Sequence, residues 1–446
     1  MLNASYAVLS LHFFLLGVLC LFGLHRLSMV WRWFKYRNVV LVAPRMFESY
    51  PNVTIQIPLY NERLVAERVI KAVAKIDYPR DKLQIQIVDD STDETYQLVH
   101  RLVTEYLEQG LNIQHLHRSD REGFKAGALK EAMTVATGEF IAIFDADFIP
   151  SPFVIRDSIH QFTDDKVAMV QLRWEHLNRH DSKLTETQAM MLDSHFSLEQ
   201  QVRYKSKGLF NFNGTAGIWR TAAILDAGHW SADTLTEDLD LSYRAQLKGW
   251  QLVYLNDQHC PGELPADMNA FKSQQHRWAK GGIQVMKKML LKVWRSDIQL
   301  RHKVESTFHL SNNLAYFIML VDTTLLLVPS LLIREQLQLP TIWWVDFPLL
   351  IFSSGGHLVY FFFGQVALGR SKVQALSSMP RMLLLGIQLA FNNAKAATEA
   401  LVGHQSEFVR TPKDGACEIE AAQPISVQRK TSGAQRALYK AISPKG

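Results

Sequence analysis

Four short clusters bring together side chains that could do chemistry. Asp145 and Asp147 flank Ala146. If that segment is extended, both carboxylates point the same way, about 6–7 Å apart. Hard oxygen ligands at that spacing suit Mg2+ or Mn2+ shared with a diphosphate. A solvated turn after a strand would read the same. Asp89-Asp90 precedes Ser91 and Thr92, competent caps for a following helix; the other reading is a carboxylate accepting hydrogen bonds from a base or a ribose. Thr236-Glu237-Asp238 opens a helical stretch over 239–247. Acids favour that end of the helix dipole, and a carboxylate there can also serve as a general base aimed into a cleft. Gln274-Gln275-His276-Arg277-Trp278, read alone, anchors an amphipathic helix at a membrane.

The elements that must hold these clusters alternate. Segments 53–58 (VTIQIP), 83–88 (LQIQIV), 113–116 and 139–144 (EFIAIF) read as strands, and 63–75, 92–107 and 125–135 carry helical spacing. Such alternation predicts an α/β fold whose parallel sheet is covered on both faces. Ligands of these sheets bind at the carboxyl ends of the strands. There the first strand runs into Pro58-Leu59-Tyr60-Asn61-Glu62, the second into Asp89-Asp90 and the fourth into Asp145-Ala146-Asp147. No GxGxxG follows a strand, which removes the main support for a dinucleotide dehydrogenase.

The 446 residues exceed one ordinary core. Hydrophobic residues make up 48% and charged residues 20%, an average that mixes soluble and membrane-buried pieces. The net charge of +5, with no long Lys/Arg block, argues against a nucleic-acid partner and for attraction to a membrane surface. Cys20, Cys260 and Cys417 lie far apart with no paired spacing, which argues against a disulfide framework or a Cys-ligated zinc and fits a reducing compartment. Segment 7–24 is apolar enough to span a membrane. Its positive cluster lies after it rather than before it, unlike a signal peptide. Arg26, Arg32, Lys35 and Arg37, interleaved with Trp31, Trp33 and Phe34, predict an interfacial helix and a cytosolic location for the downstream chain. Segments 316–333 and 342–368 predict a transmembrane hairpin.

Taken in order, IPLYNE (57–62), VDDSTDET (88–95), REGFKAGAL (121–129), FDADF (144–148), VQLRWEHLN (170–178), FNGTAGIWR (212–220), TEDLDLSYR (236–244), ELP (263–265) and QQHRW (274–278) resemble glycosyltransferase family 2. The branch is that of the cellulose synthase-like enzymes, and within it the mannan and glucomannan synthase-like proteins and their bacterial relatives. The resemblance covers residues 50–290 closely and the membrane part loosely. It implies a GT-A (Rossmann-like) cytosolic domain attached to transmembrane helices, and a metal-dependent, inverting transfer of a hexose from GDP-mannose or UDP-glucose to a growing β-linked glycan. Single transfer to a lipid, as in related ceramide glucosyltransferases, is the alternative. A catalytically dead scaffold subunit would predict decay of the carboxylates, which are intact. By the same resemblance, Tyr60, Glu62 and Asp90 hold the nucleoside and Lys125 the diphosphate, with Asp145 at the nucleotide-sugar. Asp147, with Asp145, coordinates Mg2+ or Mn2+, and Asp238 is the general base. Gln274, Arg277 and Trp278 form the QxxRW motif at the acceptor, with Trp278 stacking a sugar and Arg277 reaching the diphosphate.

Phe408–Lys413 (FVRTPK) resembles the FxVTxK gating loop of processive synthases. A cytosolic loop there requires 382–402 to lie in the membrane interface near the active site rather than cross. The expected domains are 1–45 (spanning and interfacial helix), 46–300 (catalytic), 301–410 (hairpin, interfacial helix, gating-like loop) and 411–446 (a disordered polar tail). Three spans are few for a polysaccharide channel: the chain is shortened, it forms a homo-oligomer or takes an accessory subunit, or it does not secrete a polymer. The expected location is a bacterial plasma membrane, with a Golgi membrane as the alternative.

Overall fold

The computed structural model describes residues 2–41, 43–339, 344–404, 413 and 415. Its centre is a seven-stranded mixed sheet: β1 (Val53–Leu59), β2 (Leu83–Asp89), β3 (Ile113–His117), β4 (Phe140–Ile143), β5 (Val167–His176), β6 (Gly217–Arg220) and β7 (Gln251–Gly262). They run in the order β3-β2-β1-β4-β6-β5-β7. Strands β1 to β4 are parallel, and β6 is antiparallel to both its neighbours. The chain leaves β1 in one direction and returns to its other side as β4, so the crevice expected of a doubly wound sheet opens at the ends of these two strands. This is the mostly parallel α/β sheet predicted. The expected strands became β1 to β4, while β5, β6 and β7 lie in segments that alternation did not mark.

Period two along β4 divides the core. Phe140, Ala142 and Phe144 face the cluster formed with Val65, Val69, Ile70, Val99 and Leu102, from helices Arg63–Val73 and Thr95–Glu108. Ile141 and Ile143 face Ala126, Leu129, Leu241 and Ala245, from helices Phe124–Ala132 and Glu237–Leu247. Each fully buried aliphatic or aromatic side chain contributes about 1.5–3 kcal/mol. With both faces covered, the glutamines that alternate with isoleucine in β1 and β2 cannot reach water. They pair across the sheet instead: Thr54 Oγ1 donates to Gln84 Oε1 at 2.7 Å and Gln56 Nε2 to Gln86 Oε1 at 2.9 Å.

Among the described residues, three helical stretches are long and apolar enough to cross a membrane: Asn3–Tyr36, Leu314–Gln336 and Asp346–Ala367. The first lies in one helix, Leu2–Tyr36, unbroken where a separate interfacial piece was expected. Arg26 and Arg32 are committed to ion pairs within the protein. Arg26 pairs with Glu199 at 2.8 Å and Arg32 with Glu305, so the C-terminal half of the helix is fastened to segments far along the chain. Gly23 and Gly356 let two spans touch backbone to backbone, since a Cβ on either would strike the facing helix. Helix Met379–Val402 is not among the spanning stretches. It packs along helix Met268–Arg295, joined by Glu399 to Lys280 at 3.0 Å and to His276 at 3.3 Å, and leaves Leu383, Leu384, Ile387 and Phe391 exposed. Of the gating-like loop and tail, 405–412, 414 and 416–446 lie outside the described residues.

Candidate active site

The cleft opens where β1, β2 and β4 end, and the loops there are locked to one another. Asn61 takes a left-handed φ of 53°. Its N–H donates to Ser91 Oγ at 2.8 Å, and its Oδ1 accepts from Thr92 N–H at 2.8 Å. That turn sets Tyr60 and Glu62 at the cleft wall beside Asp90. Asp90 is not free to meet a ligand with both oxygens: Arg118 grips it as a fork, Nε to Oδ1 at 2.7 Å and Nη2 to Oδ2 at 2.6 Å. The same guanidinium donates to the carbonyls of Glu122 and Phe124, holding the turn that presents Arg121 and Lys125. Arg121 lies over the Tyr60 ring, 3.2 Å from its centroid.

Removing Arg118 strands a buried carboxylate. Arg118→Ala is therefore expected to cost about 3–5 kcal/mol. A thermal melt in detergent reads this as a clear drop in Tm, and an unchanged Tm would show that the fork contributes nothing.

Beyond β4, Asp145 and Asp147 enter the cleft together with Lys125. Lys125 Nζ donates to Asp145 Oδ1 at 2.5 Å and to the Gly214 carbonyl at 3.0 Å. Lys413 Nζ sits 2.6 Å from Asp147 Oδ2. Burial pushes the Asp145 carboxyl up; Lys125 opposes this and the neighbouring Asp147 charge adds to it. Two carboxylates that repel each other and are each met by an ammonium group form a donor set that fits a hard divalent cation.

Opposite them stands the start of helix Glu237–Leu247. Glu237 and Asp238 both face the cleft, and Leu239 N–H donates to Asp238 Oδ1 at 2.8 Å. Burial, then the adjacent Glu237 charge, pushes Asp238 up to about 7. Burial pushes Glu237 up as well. Gly214, at φ 83°, makes this approach feasible: a Cβ there would come within 3.2 Å of Asp238 Oδ2 and 3.7 Å of Lys125 Nζ.

Helix Met268–Arg295 begins where Asp267 caps Asn269 N–H at 2.7 Å and Ala270 N–H at 2.9 Å. Positions 274, 277 and 278 share one face of a helix, and all three line the cleft. Burial pushes Arg277 down against the pull of Glu237, Asp145, Asp238 and Asp147, which places its guanidinium amid the acidic groups. Trp278 packs near Trp174 of β5, ring centroids 6.5 Å apart.

Every residue given a role by the family resemblance thus borders one cleft: Tyr60, Glu62, Asp90, Lys125, Asp145, Asp147, Asp238, Gln274, Arg277 and Trp278; Asp89, paired with Asp90 in the sequence, does not. The segment spanning it, residues 51–281, matches the profile of the "Glycosyltransferase like family 2". The chain belongs to this family. Its relatives lie in the cellulose synthase-like branch of the family, with the glucomannan synthases. It is 38% identical over 328 residues to glucomannan 4-beta-mannosyltransferase 1 of Oryza sativa subsp. japonica, covering 70% of this chain and 63% of that one. It is 44% identical over 253 residues to glucomannan 4-beta-mannosyltransferase 2 of Arabidopsis thaliana, covering 56% and 47%. The chain spans less than two thirds of the length of these curated relatives. In fold it is similar to the mannosyltransferase PcManGT from Pyrobaculum calidifontis, solved in complex with GDP-Man and Mn2+, with a TM-score of 0.55 and 20% identity over 89% of this chain and all of that one.

Several residues that build the cleft had no role assigned from sequence. Arg121 opens the REGFKAGAL segment and Trp174 lies within VQLRWEHLN, and both line the cleft; Arg118, three residues before that segment, stands behind it on Asp90. Glu263, within ELP, pairs with Arg68 at 2.8 Å and donates its N–H to the Asp147 carbonyl. An arginine just after β3 was the available signal for the Asp90 fork.

Proposed function

We propose that the chain is a membrane-bound, inverting hexosyltransferase that moves mannose from GDP-mannose, or glucose from UDP-glucose, onto a growing β-linked glycan. The observation that carries this reading is Asp238, a carboxyl raised to about 7 that meets Lys125 beside the side-chain-free Gly214, in the same cleft as the Asp145/Asp147 pair. GDP-mannose is the favoured donor because the curated relatives bear the name glucomannan 4-beta-mannosyltransferase.

In this mechanism Tyr60, Glu62 and Asp90 border the nucleoside. Lys125 and Arg277 meet the negative charge of the diphosphate. Asp147, with Asp145, would hold Mg2+ or Mn2+, which when bound neutralises charge developing on the leaving diphosphate. Gln274 and Trp278 hold the acceptor, the indole stacking a sugar face. Asp238 takes the proton of the acceptor hydroxyl as its oxygen attacks the anomeric carbon from the face opposite the diphosphate. An α-linked donor then gives a β-linkage.

We assign 46–300 to the catalytic domain, 1–45 and 301–410 to the membrane-associated parts, and 411–446 to a polar tail. Exposed Lys35 and Arg37 at the end of the first span favour a cytosolic catalytic domain. The relatives named above come from plants, so they lend no support to a bacterial plasma membrane and favour a Golgi membrane.

The test is to incubate membranes carrying the protein with radiolabelled GDP-mannose or UDP-glucose, plus Mg2+ or Mn2+. Ethanol-insoluble label, highest from GDP-mannose, is expected. Label confined to the organic extract would replace this reading with single transfer to a lipid.

A further inference from the structure

The pairing of β2 with β3 sets Asp89 opposite His117, with His115 two residues back on the same face. Successive strand residues point to opposite sides of a sheet. Asp90 therefore turns to the cleft with Arg118, while Asp89 turns to the back, beside helix Thr95–Glu108. There His115 Nε2 lies 2.9 Å and His117 Nδ1 3.8 Å from the same oxygen, Asp89 Oδ2. All three ligand atoms fall within 4.8 Å of one another. The other Asp89 oxygen accepts Ser91 N–H at 2.9 Å, which fixes the carboxylate plane. Tyr96 stands edge-on to His117 and tilted to His115, ring centroids 4.6 and 5.2 Å away, and restrains both imidazoles.

We propose that Asp89, His115 and His117 form a second cation site, one for a transition metal of the Zn2+ class. Two imidazoles and a carboxylate suit zinc, whereas the all-oxygen Asp145/Asp147 pair suits Mg2+ or Mn2+. In a tetrahedral zinc site with bonds of about 2.0–2.1 Å, ligand atoms lie about 3.3 Å apart. The observed 2.9 and 3.8 Å bracket that separation and the two imidazole nitrogens lie within 4.8 Å of each other, so side-chain shifts of about 0.5–1.5 Å suffice. The Asp89 side chain is fully buried and that of His115 is 7% exposed, but that of His117 is 35% exposed. Solvent reaches the cluster from that side, which supplies an entry path and a water for the remaining position. Protons balance with neutral imidazoles: the single N–H of His115 moves from Nε2, where it faces Asp89 in the empty site, to Nδ1, and His117 carries its own on Nε2, so each ring turns a lone pair to the ion and no proton is released.

The glycosyl-transfer reading needs none of these three residues. A bound ion fastens the ends of β2 and β3 directly behind the Asp90–Arg118 fork, so its occupancy stiffens the nucleoside side of the cleft.

The site is tested with untagged full-length protein in detergent and excess Mg2+, titrated with Co2+ and followed by visible absorption. One equivalent is expected to give the intense bands of tetrahedral cobalt, and Zn2+ is expected to displace it. His117→Ala, which leaves the His115–Asp89 hydrogen bond intact, lowers the affinity at least tenfold; His115→Gln does the same. Absence of tetrahedral bands, or unchanged affinity in a His117→Ala protein with a normal melt, overturns the proposal. Because the readout is independent of sugar transfer, a failure here with labelled glycan still formed rejects this site alone.

Discussion

Asp238→Asn is expected to lower kcat by about 10²–10⁴-fold, the usual contribution of a positioned general base. Asparagine keeps the shape, and its carbonyl can still accept Leu239 N–H, but it cannot take the acceptor proton. With Asp238 raised to about 7, the active, ionised form dominates only above that pH. The kcat/KM profile of the native protein should therefore fall on the acid side of about pH 7, and this limb should be missing from the residual rate of the variant. Stability should move the other way. The folded-state value lies above the ordinary carboxylate value of 3.8, so Asp238 costs the fold nothing below that pH and progressively more as pH rises through about 7. Metal-free Asp238→Asn protein should melt higher than the native protein at pH 8, and by a smaller margin at pH 4. A variant with native kcat would remove Asp238 from the chemistry.

Asp147→Ala is expected to reduce transfer by about 10³-fold or more, equivalent to about 4 kcal/mol of lost charge stabilisation, and to abolish its dependence on Mg2+ or Mn2+. The two aspartates of the pair are not equivalent. Asp145 is tied to Lys125, which also grips the Gly214 carbonyl, so its carboxylate is half spent within the protein. Asp147 is met by Lys413, and that ammonium must give way when a cation binds. The measurement is the rate against Mn2+ concentration, together with GDP affinity with and without Mn2+. Native metal activation in a well-folded variant would move the metal away from Asp147.

The parts of this site legible in the sequence obey short-range rules. A strand's carboxyl end is a local feature, so Tyr60, Asp90, Asp145 and Asp147 could be read as cleft residues from four apolar runs and the residues after them. Asp238 at a helix start, and the i, i+3, i+4 spacing of Gln274, Arg277 and Trp278, are equally local. Strands β5, β6 and β7 were not legible. β5 ends in Arg173, Trp174, Glu175 and His176 and slips register against β7, while β6 is only four residues long, too short to show a period.

The sequence by itself determined the alternating α/β order, the three apolar spans and the identity of the groups able to do chemistry, because composition and periodicity act over one or two turns of chain. Only the tertiary structure decided which of those groups oppose one another. Arg118 on Asp90, Arg68 on Glu263 and Arg26 on Glu199 join residues brought together by strand order and helix packing, Lys413 reaches Asp147 from far along the chain, and no spacing along the chain encodes such pairings. The raised Asp238 has the same origin: its carboxyl is displaced by burial beneath elements contributed from distant parts of the chain, a property of the enclosed space rather than of the residue.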